Sequence, residues 1–398
     1  MPALTEDSVS TIAQPHPMNL PHTGGGRLFA AIAGFVRKNP VLSIAVLAAV
    51  VTSFLVPPDA QYLHYIDFKT LTCLFCVLAV VCALRNIRFF TVLASSIVRR
   101  FKTLRMTVLA LVWITFIGSM LIANDMALLT FLPLGWMTLE QTNRQELTPF
   151  VFIMQNIAAN LGGMLTPFGN PQNLYLYSYF NLPTGRFMGV MAPPFLVAVT
   201  MLTGICLFLK NDPLTLENTP QPLPRGRTAL YLALFAFAIA IVFRGIPWPL
   251  GLVLIPPVLF LADRKALAAV DYPLLLTFTA FFIFAGNMAR LRAVRDALSA
   301  LLSVNPLLVS TMSCQVISNV PTAILLSHFT ADWPALLLGV NIGGTGTLIA
   351  SLASLITFSE YRRHQPGTTA RYLEYFTGFN LLFLVVLFIL CSVELAVM

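Results

Sequence analysis

The chain has 398 residues, of which 57% are hydrophobic and only 10% charged, against roughly a quarter charged in soluble domains. Apolar runs of membrane-spanning length recur throughout, which excludes a soluble globular protein and predicts an all-α polytopic membrane protein with about 10–11 membrane segments. The net charge of +8 does not point to nucleic acid. Its densest cluster, Arg85, Arg88, Arg99, Arg100, Lys102 and Arg105, flanks apolar segments, as positive-inside topology requires.

Residues 1–26 have no apolar core and are rich in Pro, Gly, Ser and Thr. They predict a disordered tail rather than a signal peptide, with an amphipathic lead-in up to residue 40. Spanning segments are predicted near 41–57, 68–84 and 104–123. Cys73-x-x-Cys76 lies in the second of these and reads as packing, since no second cysteine pair accompanies it. The basic loop 85–105 carries no acidic residue and should be cytoplasmic, with the N-terminus on the same side. An irregular membrane region follows at 124–138 and 149–180, then a helix at 187–209. Residues 210–227 form a polar, Pro-rich linker. The second half predicts helices at 228–243, 247–262 and 273–289, irregular stretches at 305–330 and 334–358, and a last helix at 371–396.

Between Met106 and Leu139 the only charged residue is Asp125. That stretch is too long for one span, so the chain bends or re-enters, with Asn124-Asp125 and Pro133 as the expected places. Irregular backbone at membrane depth survives only inside protein or against a water-filled cavity, and a lone carboxylate there is a functional candidate.

Two motifs match without gaps. Asn160 to Leu174 reads N-L-G-G-M-L-T-P-F-G-N-P-Q-N-L, and Asn341 to Leu355 reads N-I-G-G-T-G-T-L-I-A-S-L-A-S-L. They share Asn160/Asn341, Gly162/Gly343, Gly163/Gly344 and Thr166/Thr347, while Asn170 and Asn173 face Ser351 and Ser354. Pro167 and Pro171 cannot continue a helix, which predicts a break near Thr166–Asn173. A break frees carbonyls for a cation and creates a helix N-terminus for an anion. Ser318-Asn319-Val-Pro-Thr322 is the second-half counterpart of Asn124. The pairing predicts two repeats, 41–209 and 228–398, related by inversion. Asn86 and Asn287 read as helix–helix partners, and His328 as a packing residue that could carry protons.

These motifs resemble the ion transporter superfamily, which includes arsenite permeases, D-type sodium/proton antiporters, citrate–metal symporters and divalent anion:sodium symporters. The first motif is similar to the family's G-G-x-x-T-P-x-G-x-P-x-N loop, and Ser318-Asn319-Val320 to its Ser-Asn-Thr hairpin tip. The resemblance implies a re-entrant hairpin and a broken helix in each repeat. Asn124, Thr166, Asn170 and Asn173 would form one half-site, and Ser318, Asn319, Thr347, Ser351 and Ser354 the other. Asn160, Asn341, Thr345 and Thr322 belong to the same motifs, and a transient sodium would lie near Asn124, Asp125, Asn170 and Asn173. The first tip departs from the pattern as Ala123-Asn124-Asp125, and the second loop as Ser351-Leu-Ala-Ser354.

The sequence therefore predicts a secondary active transporter of a small anion or oxyanion in the inner membrane. No cofactor, resident metal or nucleic acid is expected, and the coupling ion is a proton or sodium. The expected partners are the anionic substrate, membrane lipid and, from the resemblance, a second copy. Alternatives are an arsenite/antimonite efflux permease with a separate ATPase subunit, and a sodium/proton antiporter. A membrane-embedded enzyme lacks a nucleophile–base or metal constellation, and no G-x-x-x-x-G-K-[ST] motif supplies an ATPase. The Asn-rich first half is expected to handle the coupling cation, and the Ser/Thr-rich second half the substrate.

Overall fold

The computed structural model describes residues 34–36, 39–214 and 222–398; most of the expected N-terminal tail, with the N-terminus itself, and the middle of the linker lie outside them. The described residues are helical throughout, as hydrocarbon demands of a chain whose backbone must bond to itself. Among the described residues, six helices are long and apolar enough to cross a membrane: α3 (Phe68–Asn86), α5 (Leu104–Ile122), α9 (Thr184–Leu207), α10 (Arg225–Val242), α13 (Tyr272–Arg290) and α19 (Thr369–Val397). A seventh span arises if α14 (Arg292–Val304) and α15 (Pro306–Ile317), bent by 120° at Asn305, are counted as one. The sequence predicted more spans. Several apolar runs are instead shorter helices: α1 (Pro40–Leu55), α4 (Phe89–Val98), α11 (Pro249–Ala262) and α17 (Trp333–Ile342).

Acidic side chains set several helix starts. Asp67 accepts from the Thr70 amide at 2.9 Å to open α3, and Asp271 from the Leu274 amide at 2.9 Å to open α13. Each bond satisfies an amide that the first turn leaves free. Two surface helices were read as loop in the sequence. In α14, Leu291, Val294, Leu298 and Leu302 turn inward along one stripe while Arg292, Arg295 and Asp296 are exposed, the pattern of an interfacial helix; α4 occupies the matching place after α3.

The remaining helices are α2 (Tyr62–Tyr65), α6 (Asn124–Gln141), α7 (Thr148–Gly162), α8 (Pro171–Tyr179), α12 (Arg264–Ala268), α16 (Asn319–Leu326) and α18 (Leu352–His364). The order α1–α2–α3–α4 recurs as α11–α12–α13–α14. The pair α5–α6, joined by one residue, recurs as α15–α16, and the interrupted pair α7–α8 as α17–α18. Packing crosses between these sets: α1 lies on α13, and α11 on α3. Likewise α8 packs on α16, and α18 on α6. Pro133 does not break the chain; it sits inside α6, beside Gln155, whose amide donates to the Phe131 carbonyl at 3.1 Å.

The start of the linker is anchored. The Leu104 amide donates to Asp212 and the Leu214 amide to Lys102, while Arg144 pairs with Asp212 at 2.7 Å. Asn86 donates to Asp263 and Asn287 to Thr52, so both act between helices as the sequence suggested. Cys73 and Cys76 are buried free thiols, and Cys76 lies against Gly251 of α11.

Candidate functional site

The reversal from α5 to α6 takes place at Ala123, with φ 68° and ψ 152°; the reversal from α15 to α16 takes place at Ser318, with φ 73° and ψ 159°. Both lie in a backbone region that glycine alone enters readily. The next residue is asparagine in each case. Asn124 Oδ1 accepts from the Asp125 amide and Asn319 Oδ1 from the Val320 amide, both at 2.9 Å. One local geometry is thus built twice from different residues.

The interrupted helices match as closely. After α7 the chain makes a short 3-10 turn at Gly163–Leu165, runs irregularly to Asn170 (φ −136°, ψ 144°) and restarts with Pro171 at the first helical position. After α17 it turns at Gly343 and runs to Ser351 (φ −148°, ψ 141°) before α18. The break predicted at Thr166–Asn173 therefore falls at residues 163–170. Thr166 donates to the Met120 carbonyl at 2.8 Å and Thr347 to the Gln315 carbonyl at 3.1 Å. Each hydroxyl ties its loop to the first helix of the adjacent hairpin, and neither faces the cavity described below.

Side-chain amides join the two interruptions. Ser351 donates to Asn160 Oδ1 at 2.8 Å, and Asn170 donates to Asn341 Oδ1 at 3.3 Å. Asn160 and Asn341 are matched positions, as are Asn170 and Ser351, so each contact is the exchange of the other. Asn341 also donates to Asn173 Oδ1 at 2.7 Å. Asn173 in turn donates to the carbonyls of Gly163, Met164 and Thr166 in the interruption that follows α7. Asn124 joins the cluster through Asn160 at 3.2 Å.

A cavity of about 350 Å³ lies where the second helices of the four pairs begin, lined by Asn124 and Asp125 of α6, Pro171 and Gln172 of α8, Ser318, Asn319 and Val320 at the start of α16, and Ser351 and Leu352 at the start of α18. Four helix N-termini therefore converge. Each brings the positive end of a helix dipole, about half a charge, while the Asp125, Val320 and Ala353 amides are already given to Asn124, Asn319 and Ser351. Asp125 Oδ1 and Gln172 Oε1 are buried without a hydrogen-bond partner. Among the described residues, no Lys, Arg or His lines this cavity.

Of the residues singled out in the sequence, Asn124, Asp125, Ser318, Asn319 and Ser351 line the cavity. Asn160, Asn170, Asn173, Asn341 and Ser354 stand behind them in the amide network. Thr345 turns back to the Ile342 carbonyl, and Thr322 to that of Ser318 at 2.7 Å. His328 is away from the cavity, 3.4 Å from the Tyr179 hydroxyl.

Four residues went unnoticed in the sequence. Asn156 donates to Ser354 at 3.3 Å and sits one turn before Asn160, a spacing that was legible. Gln172 lies inside the quoted motif. Gln315 donates to the carbonyls of Gly343 and Thr345 and accepts from the Thr347 amide, holding the second loop in shape. Arg244 donates to the carbonyls of Tyr177 and Leu182 at 2.8 and 3.1 Å, closing the C-terminal end of α8.

Residues 28–333 match the sequence pattern of the citrate transporter family, CitMHS. The chain belongs to that family. It is 31% identical over 299 residues to "Uncharacterized transporter MJ0456" of Methanocaldococcus jannaschii, covering 75% of this chain and 82% of the relative. It is 32% identical over 331 residues to "Inner membrane protein YbiR" of Escherichia coli, covering 81% and 87%. A more distant relative is "Uncharacterized transporter Rv2685" of Mycobacterium tuberculosis, 25% identical over 351 residues, or 77% and 81% of the two chains. Membership makes this citrate-transporter-family chain an integral membrane transporter, not an enzyme, and sets it within the ion transporter superfamily that its motifs resemble.

Proposed function

We propose that this transporter moves a small anion or oxyanion by secondary active transport, coupled to protons or sodium. The observation that carries this reading is the meeting of four helix N-termini at one cavity beside an unpaired carboxylate. The converging dipole ends attract an anion without fixed cationic side chains, so the site can release what it binds. Asp125 then needs a cation whenever the anion is present, which couples the two. The orphaned oxygens of Asp125, Asn170 and Gln172 are hard donors suited to sodium.

The recurrence of element order, tip dihedrals and exchanged amide contacts supports two inverted repeats, 41–209 and 228–398, with the site at their interface. The basic run from Arg85 to Arg105 supports a cytoplasmic N-terminus in an inner membrane, with the C-terminus outside. Cysteine accessibility at Lys210 and Met398 tests this; labelling of both from the cytoplasm alone rejects it.

The orphaned oxygens also favour a second reading, sodium/proton antiport with Asp125 as the cation ligand. Uptake by proteoliposomes under separate proton and sodium gradients, with phosphate, sulfate, succinate, citrate and arsenite as solutes, separates the two and covers the arsenite alternative. Asp125→Asn is expected to abolish or uncouple anion uptake. Undiminished, gradient-dependent anion uptake by that variant refutes the coupling scheme.

A further inference from the structure

The cavity has two unlike ends. One is the convergence of helix N-termini with Asn124, Asp125, Gln172 and Asn319. The other is a wall made by Val41, Ile44 and Ala48 of α1 and Leu274, Phe281 and Phe284 of α13. Thr277 is the one polar residue that α13 adds to this wall, and its hydroxyl is already given to the Pro273 carbonyl at 2.7 Å.

We infer that the substrate is an amphipathic monoanion, with a single anionic head and an apolar body. This rests on the anion-transport reading above and narrows it. The head sits at the positive dipole ends where α6, α8, α16 and α18 begin. The body lies against α1 and α13. A second carboxylate directed at Phe281 or Phe284 would meet no donor and no counter-charge, and an ion desolvated in that way is strongly disfavoured. The volume of about 350 Å³ is at the small end of ligand pockets. Ile44 of α1, at its margin, is exposed on the outer surface of the chain, so the apolar end faces the side where lipid would lie. Compact di- and tricarboxylates, hydrophilic at every end, fit the head region but not the wall.

The experiment uses the full chain in proteoliposomes with benzenesulfonate as probe, because a sulfonate stays charged and does not leak across the bilayer as a neutral acid. Succinate, citrate and methanesulfonate are compared under the same gradient. Benzenesulfonate is expected to be taken up with a KM at least about tenfold below those of succinate and citrate, the scale on which an apolar pocket discriminates. Phe281→Asn should raise that KM about tenfold. Ala48→Leu, which fills the apolar end without adding polarity, should shift the preference toward methanesulfonate. Succinate or citrate preferred over benzenesulfonate overturns the inference and leaves anion transport standing, as does an unchanged KM in folded Phe281→Asn and Ala48→Leu. Sodium/proton exchange by the wild type with no uptake of any anion overturns the underlying reading as well.

Discussion

Ala123 and Ser318 each hold a side chain where φ is positive and ψ extended, at a cost of about 1–3 kcal/mol apiece. Asn124 and Asn319 brace these turns from the next position, each accepting from the backbone amide that follows it. Ala123→Gly is expected to raise the thermal midpoint of the purified protein, worth about 1 kcal/mol, while Ala123→Val lowers it. Nothing in the residues Ala123-Asn124-Asp125 signals a positive φ, and the sequence set the bend at Asn124-Asp125 and Pro133 for want of a glycine. Arg244 is different: its bonds to two carbonyls at the end of α8 place a cation on the negative end of a helix dipole. Arg244→Ala should destabilise by about 2 kcal/mol, and Arg244→Lys should recover little, because the two carbonyls are bridged by one planar fork. Outside the spans, the Arg290 guanidinium 2.8 Å from Asp59 holds that carboxyl below its ordinary value of 3.8. A lowered carboxyl contributes stability above that value and loses it as pH falls through the folded value. Asp59→Asn should therefore lower the melting midpoint slightly at pH 7 and leave it unchanged in strong acid. The pair is exposed, so added salt should erase the difference.

At the scale of elements, the two interruptions depend on glycines for different reasons than a turn usually does. A methyl group on Gly162 would collide with the Phe116 carbonyl of α5, and one on Gly163 with Asn170 Oδ1. Gly162 is helical, so its role is close approach rather than backbone freedom. Gly162→Ala is expected to abolish folded expression or cut the melting midpoint sharply. Gly189→Ala, in α9 with nothing within 4 Å, should be neutral or stabilising by about 0.5–1 kcal/mol; fluorescence-detected size exclusion of the two variants compares them directly. The breaks were legible because Pro171 and the Gly-Gly pairs are local signals. The regularity of α6 was not: Pro133 reads as a breaker, yet it sits inside a continuous helix, as membrane helices tolerate. The surface helices α4 and α14 read as loop for different reasons: α4 is a ten-residue apolar run flanked by Arg88 and Arg99, while α14 carries Arg292, Arg295 and Asp296 beside an apolar stripe only a few residues long.

At the scale of the molecule, the paired motifs gave the partners of the site but not its layering. Asn160, Asn170, Asn173 and Asn341 look equivalent to Asn124 in the sequence. In the fold they stand behind the cavity, bonded to one another and to Ser351 across the interface, with Asn160 Nδ2 and Asn170 Oδ1 left unpaired. The expected division of labour, cation on the first half and substrate on the second, changes shape accordingly. Asn173 and Ser354 both stand behind the cavity, so Asn173→Ala and Ser354→Ala should lower thermal stability and reduce uptake together. Separate loss of ion affinity in one and substrate affinity in the other would contradict this.

The crossed packing has a consequence for how the protein is made. α1 rests on α13, and α3 on α11 as well as on α8 of its own half, so neither early helix meets its second-half partner until that half exists. At a synthesis rate of about 5–20 residues per second, the ribosome needs on the order of ten seconds or more to travel from Pro40 to Tyr272. For that interval Thr52 and Ser53 of α1, which later receive Asn287, wait in the membrane without it. Newly made first halves should accordingly be captured by insertion chaperones and cleared quickly when translation stops short of α13. A split gene should give stable protein only when both fragments are made in the same cell.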